Sequence, residues 1–185
     1  MEIDINQKKI SIGDRWRIYI DREQSHFASR QLFGWSSEIN LFRDTANRAR
    51  YTIEKKWNWL TASYRLIRHD GSIFEFKSVS LWKLHYKCQV ESDLYEIFGH
   101  KGRKYSIYKN DRQVAWWDKE IVAWFQGDNY KMISDKDADI ELLISFCLII
   151  DNSSSNDDEG NTLTIDLGNI GPQARKFDTG WQPKT

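Results

Sequence analysis

Short runs of alternating apolar and polar residues fill most of the chain up to about residue 134, after which the period changes. Trp16-Arg17-Ile18-Tyr19-Ile20 is aromatic and β-branched and predicts a strand over 15–21. Residues 22–36, with Phe27, Leu32 and Phe33 in no clean period, are expected to be strand fragments joined by a loop. Glu38–Arg43 alternates and Arg50–Lys56 returns, with Tyr51 and Ile53 on one face and Thr52 and Glu54 on the other. Asp44-Thr45-Ala46-Asn47 forms the turn between them. Ser63–Arg68 and Ile73–Lys77 flank His69-Asp70-Gly71-Ser72, and Asp-Gly between two such runs predicts a hairpin with a type I′ turn. Further strands are expected at Leu84–Val90, Leu94–Phe98, Tyr105–Lys109, Gln113–Asp118, Val122–Phe125 and Tyr130–Ile133. Turns every 8–12 residues point to an up-and-down barrel or a sandwich.

From Ile140 to Ile150 the chain is apolar on nearly every side of a helix, and Asp135–Asp139 supplies acidic and capping residues ahead of it. A helix apolar all round is buried all round. A closed barrel has an interior to fill, whereas a sandwich has no slot for such a helix. The pattern therefore favours a mostly β chain: a closed antiparallel β-barrel around a central hydrophobic C-terminal α-helix. The helix is placed near residues 138–151 with Asn152 as a left-handed stop, and residues 1–151 form the barrel domain. Residues 152–185 form a polar, acidic linker and C-terminal extension, with one late strand at Thr162–Leu167. Its end is expected to be loose apart from anchors at Phe177 and Trp181.

Composition adds to this picture. Nine Trp, eight Tyr and nine Phe suit pleated, half-buried surfaces. The first 171 residues contain no proline, as ladders that need every N–H donor require. The net charge is zero, which speaks against a nucleic-acid-coating protein. The balance is uneven, with +6 over residues 1–134 and −6 over 135–185. No secretory leader and no apolar run long enough to span a bilayer are evident. With two cysteines that make no disulfide framework, a reducing, cytoplasmic setting is expected, with a peripheral membrane location as an option. Cys147 reads as a buried small hydrophobe.

The stretch Tyr51-Thr52-Ile53-Glu54-Lys55-Lys56-Trp57, the hairpin at Asp70-Gly71, and Asp139–Ile144 through Asp151 resemble the tubby C-terminal-like superfamily, which includes LURP-one-related proteins and phospholipid scramblases. The resemblance covers roughly residues 30–151. It implies a twelve-stranded antiparallel barrel around a hydrophobic C-terminal helix, together with binding of anionic lipid through basic surface side chains. No tubby phosphoinositide motif maps residue by residue onto this chain, and the scramblases' calcium-binding and cysteine-rich segments have no counterpart.

Candidate chemistry is sparse. His85 and Cys88 are three apart on a strand and so lie on opposite faces. His69 and His100 fall in predicted turns and His26 in an unassigned stretch, so neither a metal site nor a cofactor is expected. Asp118 and Glu120, beside Trp116 and Trp117, are the pair a small enzyme with a barrel-mouth pocket would use. No catalytic residue is assigned, and acidic residues of β proteins mostly decorate the solvent face. The basic clusters Arg48-Ala49-Arg50, Lys55-Lys56 and Lys101-Gly102-Arg103-Lys104 sit in or beside turns. There, cations could meet an anionic phospholipid surface, with Trp57 and Trp59 at the interface. The bland alternative is that these lysines solvate turns and the tryptophans plug a barrel end. A non-enzymatic binding or scaffold domain is the first reading, an enzyme the second, and a protein–protein module whose acidic tail docks in trans the third.

Overall fold

The computed structural model of the protein describes residues 1–10, 13–33, 36–56, 63–80, 83–120, 129–155 and 173–185. Twelve strands make one closed antiparallel barrel in which every strand pairs with its sequence neighbours, and β1 (Glu2–Ile10) closes the ring on β12 (Asn129–Ser134). In order between them come β2 (Gly13–Ile20), β3 (Glu23–Phe33), β4 (Ser36–Arg43), β5 (Tyr51–Lys56) and β6 (Ser63–Arg68). These are followed by β7 (Ile73–Ser78), β8 (His85–Val90), β9 (Asp93–His100), β10 (Lys104–Lys109) and β11 (Arg112–Glu120). Closure leaves no strand edge exposed.

The strands obey the period-two rule. Inward positions such as Ile3, Ile5, Trp16, Ile18, Ile39, Leu41, Ile53, Leu66, Phe76, Ile97, Ile107, Trp117 and Met132 are all fully or almost fully buried. The N-terminal residues, to which no element was assigned above, form β1. One expectation is corrected here: residues 23–33 form one continuous strand instead of fragments. β3 hides its period because two of its inward positions are polar: His26 and Arg30 point at side chains of the C-terminal helix.

The turn between β6 and β7 is not type I′. Gly71 alone has positive φ, at 91°, and the Gly71 N–H reaches Arg68 O while the Arg68 N–H reaches Ser72 O. This is a three-residue hairpin loop closed by a glycine bulge. Two-residue turns with positive φ at both positions occur instead at Asp21-Arg22 and Asn110-Asp111. The strand expected at Val122–Phe125 and the one at Thr162–Leu167 lie outside the described residues.

The helix α1 runs Ile140–Ser155. Asp139 caps it: its Oδ1 accepts the Leu142 N–H at 3.1 Å and its carbonyl accepts the Leu143 N–H at 3.0 Å. The helix continues past Asn152, which is helical and not a left-handed stop. Leu142 through Ile150 are each at most 5% exposed, Cys147 among them. Phe146 packs on Phe76 of β7 and Tyr95 of β9, with ring centroids 5.5 and 5.7 Å away. Asp151 accepts hydrogen bonds from Trp16 Nε1 of β2 and Tyr130 Oη of β12, with Lys119 of β11 at 3.7 Å.

Candidate anion-binding rim

Successive connections of an up-and-down barrel alternate between its two ends, so the topology sorts the basic clusters. The β2–β3, β4–β5, β6–β7, β8–β9 and β10–β11 turns share the end where α1 begins, the helix-entry end. The β5–β6, β7–β8 and β9–β10 connections share the opposite end, here called the far rim. Arg48 and Arg50 therefore sit at the helix-entry end, apart from Lys55, Lys56, Lys101, Arg103 and Lys104 on the far rim. The clusters drawn together from sequence do not form one surface.

At the helix-entry end Arg50 is already engaged. Glu141, 9% exposed on the first turn of α1, accepts from Arg50 Nε at 2.8 Å and from Arg43 Nη2 at 2.7 Å, with His26 Nε2 at 3.3 Å. Burial by itself would raise the Glu141 pKa. The hydrogen bonds from His26, Arg50 and Arg43 more than offset it and hold the carboxyl down to about 2. Because the folded value lies below the ordinary 4.5, Glu141 stabilises the fold fully above pH 4.5, and that stability is lost as pH falls toward 2. Acid titration of a Glu141→Gln variant is expected to show a shallower loss of stability over that window than the native chain shows. An identical slope would remove Glu141 from the acid response. A pocket of about 400 Å³ lies beside this cluster, lined by Ile20, Ser25, His26, Arg43, Asp139 and Glu141 among others. Arg48 is exposed and makes no ion pair among the described residues.

On the far rim, Lys56 pairs with Glu75 at 2.5 Å, and Lys77 with the same carboxylate at 2.5 Å. Glu75 is pulled down to about 2 by the two lysines. Lys104 lies 3.6 Å from Asp118 and its Nζ sits over the rings of Trp116 and Phe177, at 5.6 and 5.5 Å. Lys55 is half-buried and Lys101 exposed; neither forms an ion pair among the described residues. Lys77, near the end of β7, and Lys83, on the β7–β8 connection, are both exposed, lie between the two predicted clusters and were missed from sequence. Their signal was topological: in a meander, every second connection shares a rim. Trp57 and Trp59 lie outside the described residues.

The remaining candidates do not gather into a site. Asp118 is on the outer wall of the barrel, paired with Lys104, and does not face a barrel mouth; the Glu120 side chain lies outside the described residues. His100 is no turn residue but a buried end of β9, with Nε2 2.6 Å from Ser106 Oγ. His85 faces Glu96 at 3.0 Å, while Cys88 is buried on the other face. Among the described residues no group of histidine, cysteine and carboxylate side chains is arranged to hold a metal. No helix there is long and apolar enough to cross a membrane.

No curated protein and no solved structure matches the chain. A family-wide comparison does, over residues 1–151, reaching the N-terminus where the resemblance read from sequence began only near residue 30. That span takes in β1–β12 and most of α1. The chain thus belongs to the LURP-one-related family, within the tubby-like superfamily.

Proposed function

We propose that this chain is a non-enzymatic binding domain, cytoplasmic and peripheral to membranes, that docks on anionic phospholipid through the far rim of its barrel. The observation that carries the reading is the shared placement of Lys55, Lys56, Lys101, Arg103 and Lys104 at one rim, at the strand ends and connections of β5–β6 and β9–β10, with Lys77 and Lys83 at the β7–β8 connection between them. Each cation near an anionic surface is worth about 1 kcal/mol, and less where, as for Lys56 and Lys104, a carboxylate already stands beside it. Membership of the LURP-one-related family agrees with a lipid-binding or scaffold role.

The same reading has the barrel wrapped around α1, which thus serves as packing and not as a binding surface. Supporting it are the burial of Leu142–Ile150 and the partners of α1 side chains on β2, β3, β4, β7, β9, β11 and β12.

The test is co-flotation of the full chain with neutral and with phosphatidylserine-containing vesicles. Binding is expected to anionic vesicles only and to weaken at raised salt. Replacing Lys55, Lys56, Lys101, Arg103 and Lys104 together with glutamine is expected to reduce it at least about a hundred-fold. Arg48→Gln, at the other end of the barrel, should leave it unchanged. Equal loss in the Arg48 variant, or none in the fivefold variant, would sink the rim as the docking face.

A further inference from the structure

The outer wall of an antiparallel barrel is expected to be polar, yet several outward positions of β9–β11 are closed off, most of them aromatic. Phe98, His100, Tyr108 and Gln113 are 6, 2, 7 and 7% exposed. Described residues of the C-terminal segment, 173–185, lie across them. The segment alternates, with Gln173, Arg175 and Phe177 half-buried and Ala174, Lys176 and Asp178 exposed.

Three side chains anchor it. The Arg175 guanidinium sits 3.8 Å from the Tyr108 ring centroid and 5.3 Å from that of Phe98, and its Nη2 donates to Asp111 at 2.8 Å. Phe177 meets His100 and Trp116 edge-on, with centroids 5.1 and 5.6 Å away, beneath the Lys104 ammonium. Trp181 Nε1 donates to the Gln113 carbonyl at 3.2 Å. Beyond the anchors, the Lys184 N–H donates to the buried Asp135 Oδ1 at 2.7 Å, and the Lys136 N–H donates to Lys184 O at 3.2 Å.

Because the barrel is closed, this segment lies on a face and not on an edge, and it contributes no strand to the ladder. It is held by separable side-chain anchors and a few hydrogen bonds. It can leave without breaking the sheet, and an identical segment can replace it. The connection from α1, residues 156–172, is 17 residues long. At about 3.4 Å per extended residue it reaches up to about 60 Å, enough to deliver the segment to its own barrel or to a neighbour's.

We propose that the outer face of β9–β11 is a peptide-docking site for an extended segment with arginine, an aromatic residue two positions on and tryptophan four further. It is filled in cis by Arg175, Phe177 and Trp181, and in trans it takes the same segment of a second copy of this chain. Exchange of an identical element is a low-cost route to a dimer. The stacked arginine and the buried aromatics are the residue types that dominate such interfaces. The site lies outside the matched family span in its ligand but inside it in its groove. It does not depend on the lipid reading.

The experiment uses two full-length variants and a labelled synthetic peptide of residues 173–185. Phe177→Ala with Trp181→Ala gives an acceptor with an open groove. Tyr108→Ala with Asp111→Ala gives a donor with an intact segment and a damaged groove. The acceptor is expected to bind the peptide at least tenfold more tightly than the native chain, whose groove is occupied by a tethered competitor at roughly millimolar effective concentration. Mixed acceptor and donor should form a one-to-one complex by light scattering, while each alone stays monomeric. Equal peptide binding by acceptor and native chain, or equal binding of a scrambled peptide, would overturn the proposal, as would a mixture that stays monomeric. Should circular dichroism show the acceptor unfolded, Arg175→Ala, which alters only a surface anchor, replaces it and the same comparison decides.

Discussion

Phe146→Ala is expected to destabilise the protein by about 3–5 kcal/mol, a large fraction of the roughly 5–15 kcal/mol stability of a typical domain. Phe146 is fully buried at the middle of α1, and its ring touches Phe76 and Tyr95 on two different strands. Phe76 in turn stacks on Tyr86, 5.3 Å away, and meets Tyr64 edge-on at 6.5 Å, so one deletion opens a void beside an aromatic cluster drawn from four strands. Hydrogen-bonded strands move little to close such a void, which places the expected cost in the upper range for core truncations. Denaturant unfolding with an unchanged m-value measures it. A loss below about 1 kcal/mol would mean that Phe146 is not closely packed in the core.

Asp151→Ala is expected to cost a similar amount, about 3–5 kcal/mol, for a different reason. Asp151 is 3% exposed and gathers the Trp16 indole N–H at 3.3 Å, the Tyr130 hydroxyl and the Lys119 ammonium at 3.7 Å. Removing the carboxylate leaves three donors, one of them charged, without their acceptor in a low-dielectric site. One helical residue further on, Asn152 Oδ1 accepts from Arg30 at 3.0 Å, and Arg30 also pairs with Asp14 at 3.2 Å. This polar end of α1 fixes its register against β2, β3, β11 and β12. Asp151→Asn keeps an acceptor but not the charge, and should recover part of the loss in the same unfolding experiment. If Asn and Ala are equally destabilising, the Lys119 pairing carries the effect; if Asn is native-like, the hydrogen bonds do.

Much of the barrel is legible in the chain because its wall is built from local pairs. Ser63–Arg68 and Ile73–Lys77 come out within a residue of the observed β6 and β7, since alternation and a glycine turn are properties of adjacent residues. β1 carried the same signal in Ile3 and Ile5 flanked by Glu2, Asp4 and Asn6. Its partner β12 lies more than a hundred residues away, so no adjacent hairpin marked both of its sides. β3 was blurred because His26 and Arg30 face inward to meet Glu141 and Asn152, and an inward polar residue makes sense only once its partner is in place. The docking of residues 173–185 was legible only as two aromatic anchors in a polar tail.

The sequence by itself determined the meander and an apolar helix preceded by acidic and capping residues at 135–139, which follow from periodicity and residue type acting over a few positions. The family was legible as a resemblance carried by residues 51–57, 70–71 and 139–151. Tertiary structure alone decided which cations share a surface. Ring closure and the alternation of connections put Arg48 and Arg50 at one end and the lysines of β5–β6 and β9–β10 at the other. It also decided which charges are already engaged: Arg50 by Glu141, Lys56 by Glu75 and Lys104 by Asp118. The physical reason is that a charge interacts with what is near in space, and in a closed barrel that is set by the ring order of strands and not by distance along the chain.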